Sequence, residues 1–180
     1  MANPFETLGL APSFAIDPLR LEQRQRELNR AVHPDRHAGK SSSERRQALS
    51  RAMDINLAYR TLRDPTSRAV ALLEVLDDGS SDEAASSDLS LLSEMLEQRE
   101  RLEESRRERD LTRLHELAAA MAEREQRVLG DLERAFASVL GAGPDGQERA
   151  VSLHEARRLL SELRYVRRFS EEVSAIEDEL

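Results

Sequence analysis

The 180-residue chain contains no cysteine. That absence excludes disulfides, zinc–thiolate centres and cysteine-ligated clusters within it. Aromatic residues amount to only 3%, which fits small helical domains whose cores are mostly leucine and alanine. No apolar run approaches the ~20 residues needed to cross a bilayer, so no membrane partner is expected. The opening MANPFETLGL has neither the basic nor the apolar region of a secretory signal, and it lacks the Arg- and Ser-rich character of a transit peptide. A cytoplasmic location is therefore the expectation.

Charge, by contrast, is abundant and uneven. Charged residues make up 34% of the chain and the net charge is −8. Residues 1–76 hold 12 Lys and Arg against 9 Asp and Glu, whereas residues 77–180 hold 15 against 26. Two parts of opposite sign point to two surfaces facing different partners. The acidic balance argues against a general nucleic-acid binder.

The apolar spacing is helical throughout. Asn3–Pro4 and Asp17–Pro18 each pair a capping side chain with proline at the first helical position. The first of these helices is short, ended by Gly9 and Pro12. The second carries Leu21, Gln25, Leu28 and Val32 on one face and Arg20, Arg24, Arg26 and Arg30 largely elsewhere. It should stop at His33, because Pro34 disfavours the helical region for the residue before it. After the loop RHAGKSSS, a third helix places Ala48, Ala52, Ile55, Tyr59 and Leu62 on one face. Asp64–Pro65 starts a fourth, with Ala69, Leu72, Leu73 and Leu76. The polar, acidic stretch at 77–87 is the predicted linker. Beyond it, residues 88–180 show three long amphipathic patterns, broken near Asp110 and at GAGPDG (141–146). The predicted architecture is all-α: a helical hairpin with short flanking helices at 1–76, then a three-helix antiparallel bundle.

The densest cluster of chemistry is HPDRH at 33–37. His33, Asp35 and His37 could suggest a metal site, but Pro34 breaks the helix that would bring two histidines onto one face, and nothing else nearby supplies a third ligand type at matching spacing. The serines of SSSE sit in no nucleophile elbow. No metal, cofactor or catalytic residue is expected. A structural reading, in which His33 and Asp35 merely cap and turn, accounts for Asp35 but not for the surrounding pattern.

That pattern is LGL, a basic helix, HPDR, a polar loop, then INLAYRTLRDPTSRAVALL. It resembles the J-domain of the DnaJ co-chaperone superfamily, whose signature tripeptide matches His33, Pro34 and Asp35. MLEQRERLEE and ELRYVRRFSEEV downstream extend the likeness to the HscB family, J-type co-chaperones of iron–sulfur cluster assembly, over nearly all of the chain. The resemblance implies two jobs. His33, Pro34 and Asp35 would trigger the ATPase of a DnaK/HscA-type chaperone, with Arg24, Arg26, Arg30 and Arg36 meeting its acidic surface. Leu92, Leu96, Glu97, Arg99, Glu100 and Tyr165 would hold the cluster scaffold IscU. Ser93 departs from the family pattern, which prefers an apolar residue there.

Other readings have their own expectations. A J-type co-chaperone for a different client would keep the tripeptide and change the bundle surface. A coiled-coil tether would make the tripeptide dispensable. From residues alone, Leu92 and Leu96 read as bundle core; with the resemblance they read as an exposed apolar–acidic face, leaving Leu89, Met95 and Leu102 for packing. His115 and His154 read as incidental.

Overall fold

A computed structural model of the chain describes residues 3–33, 39, 41–76, 89–143 and 146–180, with the side chains of 89–91 excepted. The described residues form seven helices and no strand. None of these helices is long and apolar enough to cross a membrane. The chain divides into two compact units, Met1–Asp78 and Gly79–Leu180. The predicted linker, 77–87, lies outside the described residues.

The first unit holds α1 (Pro4–Leu8), α2 (Pro18–Ala31), α3 (Ser42–Arg63) and α4 (Pro65–Leu76). Each predicted Asx cap is made: Asn3, Asp17 and Asp64 accept from the backbone N–H groups of Phe5, Leu19 and Ser67 at 3.0, 2.9 and 2.7 Å. α3 is the central element, touching α1, α2 and α4. Its inward residues Ala48, Ile55, Ala58 and Leu62 are buried together with Phe5, Leu8, Leu21, Ala69 and Leu72. Between α2 and α3 the contact has a polar strip as well. The amides of Gln25 and Asn29 both donate to Asn56 Oδ1, each at 3.0 Å, which explains why Gln25 sits on an otherwise apolar face.

α1 ends in a tight cap. Gly9 is left-handed at φ 63°, its N–H donates to the Glu6 carbonyl, and the Leu10 N–H reaches back to Phe5. Arg24 of α2 completes this end by donating from Nε to the Leu8 carbonyl at 2.8 Å. A cation at a helix C-terminus also complements the dipole.

The second unit holds α5 (Leu89–Glu108), α6 (Leu111–Gly141) and α7 (Gln147–Glu179). The register follows from the cross-helix ties. Arg99 pairs with Glu172 and Arg106 with Glu179, so α5 and α7 run parallel. Glu94 meets Arg124 and Glu104 meets Arg113, so α6 runs antiparallel to α5. This is the antiparallel order of a three-helix bundle. α6 and α7 are much longer than α5, at 31 and 33 residues against 20. The three-helix core is accordingly local to α5: Leu102, Leu114, Leu117, Met121, Val166, Phe169, Val173 and Ile176. Leu111, at the first position of α6, is exposed.

The α5–α6 turn repeats the α1 cap without its glycine. Arg109 is left-handed at φ 54°, and the Asp110 N–H donates to the Ser105 carbonyl at 2.9 Å. Asp110 then caps α6 by accepting from Arg113 N–H at 3.1 Å. The two turns predict opposite responses. Gly9→Ala forces a side chain into the left-handed region and places its Cβ 2.9 Å from Arg24 Nη2, so it should destabilise by about 1–2 kcal/mol. Arg109→Gly relieves the same strain and should stabilise by about 0.5–1 kcal/mol. Urea titrations of both variants decide; like-signed shifts would contradict this reading of the caps.

Candidate functional site

The first candidate surface lies where α2 gives way to α3. Val32 closes α2 through its N–H on the Leu28 carbonyl, and His33 follows it, exposed to solvent. On the far side Ser41 opens α3 with a reciprocal capping box. Ser41 Oγ accepts from the Glu44 N–H at 3.3 Å while the Glu44 carboxylate takes the Ser41 N–H at 2.9 Å. The two facing helix ends are thus each closed by their own hydrogen bonds. Pro34, Asp35, Arg36 and His37 lie outside the described residues. The box is readable as S-x-x-E in the sequence.

The arginines of α2 do not form one surface. Arg26 and Arg30, four apart, share a face. Arg26 pairs loosely with Glu22 at 3.7 Å, and both arginines are exposed. Arg24 is turned roughly 200° from Arg26, toward α1, and spends its guanidinium on the Leu8 carbonyl and on Glu27 at 3.3 Å. The geometry gives it a positioning task.

The second candidate surface is α5. Leu92 and Leu96 are 43% and 65% exposed, with Ser93, Glu97 and Glu100 exposed beside them. Leu102, on the other side of the helix, is wholly buried and Met95 is half-buried. Arg99 is tied to Glu172 at 3.5 Å. Tyr165 stands on the packed side of α5: its hydroxyl donates to the Met95 carbonyl at 3.2 Å, and its ring lies 5.9 Å from that of Phe169 at the edge of the core. The tyrosine therefore supports the helix that carries the leucines.

The element that fixes this arrangement was absent from the sequence reading. Arg124 of α6 is 15% exposed and donates from Nε to Glu162 of α7 at 2.8 Å and from Nη2 to Glu94 of α5 at 2.9 Å. Burial works against its charge, but the hydrogen bonds and attraction of Glu162 and Glu94 outweigh that and raise its pKa. Glu162 is buried and also meets Arg158 at 3.6 Å. The signal was present: Glu162 interrupts the Leu159–Leu163–Val166 stripe, and Arg124 sits between Met121 and Val128. Opposite charges at core-phase positions of neighbouring helices announce a buried pair.

Comparison with known proteins gives one consistent answer. The family model described as HSCB C-terminal oligomerisation domain matches residues 87–174. A Shewanella loihica protein named co-chaperone protein HscB homolog is 32% identical over 179 residues, covering 99% of each chain. A Shewanella halifaxensis protein of the same name is 31% identical over 181 residues, covering 99% of this chain and 98% of that one. The solved chaperone HscB from Vibrio cholerae superposes with a TM-score of 0.76 at 28% identity, covering 99% of both chains. The human co-chaperone HscB, at 22% identity and a TM-score of 0.76, covers all of this chain and 84% of that one, and shares the fold.

The exposure of the leucines sets a stability test. Leu92→Ala with Leu96→Ala should move stability by about 0.5 kcal/mol or less in total, as surface changes do, whereas Leu102→Ala should cost about 2–5 kcal/mol. Comparable losses in the two proteins, measured by urea unfolding, would place the leucines in the core.

Tyr165 sets a pH test. Burial raises its pKa above 10.0, and only the neutral phenol can donate to Met95. A folded pKa above the unfolded one means stability fully present below about pH 10 and lost as pH rises through the folded value. The alkaline loss in urea midpoint should be smaller in Tyr165→Phe; an identical loss in both proteins would remove the phenol from this role. The chain's single lysine keeps that window uncluttered.

Proposed function

The chain belongs to the HscB co-chaperone family, and from that premise we propose that it is a cytoplasmic co-chaperone of iron–sulfur cluster assembly. It works without bond chemistry of its own. Its N-terminal unit stimulates ATP hydrolysis by a DnaK/HscA-type chaperone, and its C-terminal unit holds the scaffold protein IscU and brings it to that chaperone.

The observation that carries the reading is the outward apolar–acidic face of α5, Leu92 and Leu96 with Glu97 and Glu100, on a helix whose other side is pinned. Two exposed leucines on a rigid helix supply apolar area at about 25 cal/mol per Å² buried, with little conformational entropy left to lose. The adjacent carboxylates select a basic partner. Ser93 adds little apolar area, so Leu92 and Leu96 carry the contact.

In the N-terminal unit, Asp35 of the tripeptide serves as the acceptor of a charge-assisted hydrogen bond from the chaperone. Arg26 and Arg30 steer the encounter with an acidic surface. The tripeptide thereby biases a conformational equilibrium in another protein.

Asp35→Asn should abolish stimulation of the chaperone's single-turnover ATPase while leaving helicity and scaffold binding unchanged. Leu92→Ala with Leu96→Ala should do the reverse, weakening scaffold binding at least tenfold and leaving stimulation by the co-chaperone alone intact. An Asp35→Asn protein that still stimulates would overturn the first assignment, and full scaffold affinity in the double alanine variant would overturn the second.

A further inference from the structure

From residue 92 to 101, α5 has little apolar anchorage. Leu102 is the only α5 side chain buried in the bundle core among the described residues. Leu96 and Leu92 precede it by about 9 and 15 Å along the helix axis, and both face solvent. The inward positions of this stretch are poorly apolar. Met95 is only half-buried, and the Gln98 Oε1 is buried with no hydrogen-bond partner among the described residues.

Polar ties therefore hold the stretch to its neighbours, and they are unequal. Arg99 and Glu172 meet at 3.5 Å with both side chains partly exposed, a pairing of the surface kind that contributes little. The Tyr165 hydroxyl gives the Met95 carbonyl a neutral bond at 3.2 Å. Arg124 gives Glu94 a charge-assisted bond at 2.9 Å. Its guanidinium is already fixed by a second such bond, at 2.8 Å, to the buried Glu162. A planar donor fork immobilised in this way loses little entropy in holding a further group.

We propose that Arg124 is a positioning residue for scaffold binding: through Glu94 it keeps the N-terminal half of α5 docked, so that Leu92, Leu96, Glu97 and Glu100 are presented together on a fixed helix. The link to binding rests on the reading of α5 as the scaffold face, whereas the docking does not. Arg124 and Glu162 are 15% and 11% exposed and lie on the packed side of α5, so they act through the helix. A released stretch must dock again before it binds, and its apparent affinity falls with the fraction docked. A helix docked about a tenth of the time binds about tenfold more weakly.

Two variants release the stretch by different routes. Arg124→Met with Glu162→Leu replaces the buried pair by apolar side chains, a change that often leaves a core as stable or more so. Arg158 keeps Glu155 at 2.7 Å, and the half-exposed Glu94 is left to water. Glu94→Ala breaks the same tie from the other side, at a half-exposed position where truncation spares folding, and leaves the buried pair intact. Hydrogen–deuterium exchange, scaffold titration and urea unfolding of the full chain test both. In each variant exchange should quicken across 92–98 and stay slow at 102–106, around Leu102. Scaffold affinity should fall about tenfold, and the urea midpoint should hold or rise in the apolar pair. Unchanged exchange at 92–98 overturns the proposal. So does an affinity loss confined to Glu94→Ala, which would make Glu94 a direct contact. Quickened exchange with full scaffold affinity instead removes α5 as the scaffold face, and with it the role given to Arg124.

Discussion

A guanidinium held between two carboxylates governs the C-terminal unit. Arg124 joins Glu94 of α5 to Glu162 of α7, and these two carboxylates offset the cost of burying its charge. Buried ion pairs are weak sources of net stability but costly to break, which makes them good at selecting one arrangement over another. Here the selected quantity is the rotation of α5. Glu94, Met95 and Arg99 are each tied to α6 or α7, at 2.9, 3.2 and 3.5 Å. Three ties within six residues leave Leu92, Leu96, Glu97 and Glu100 pointing outward. An apolar core alone would be served equally well by turning those leucines in. The polar ties hold the helix against that alternative.

The N-terminal unit solves a comparable problem by capping. The facing ends of α2 and α3 are closed by their own hydrogen bonds, at Val32 and at Ser41–Glu44. α3 anchors the unit by packing on α1, α2 and α4. Arg24 secures the short α1 from across α2. The two exposed arginines that remain on one face of α2, Arg26 and Arg30, are then available to a partner, and the arginine that resembles them in sequence is engaged inside the unit.

The helices and their caps were legible because periodicity and Asx–Pro pairs are local signals. Asn3–Pro4, Asp17–Pro18 and Asp64–Pro65 each mark a helix start to the residue. The left-handed turn at Gly9 was readable from its glycine, whereas the same turn at Arg109 was not, since any residue can be forced there by the packing of α5 on α6. The candidate site was legible in part. Leu92 and Leu96 have the spacing of core residues, and the ties of Glu94, Met95 and Arg99 to α6 and α7 on the opposite side turn them outward. The role of Arg24 and the triad around Arg124 depend on which helices come together, information that no single window of sequence contains.

Two surfaces with two partners are the central claim. Hydrogen–deuterium exchange of the intact protein measures it directly, with the scaffold and the ATP-bound chaperone added in turn. The account predicts that the scaffold slows exchange in α5 around residues 92–100 and leaves 31–46 unchanged. It predicts that the chaperone slows exchange at 31–46 and in α2 but not in α5. Protection by both partners on the same segment, or scaffold protection confined to α6 and α7, would contradict it.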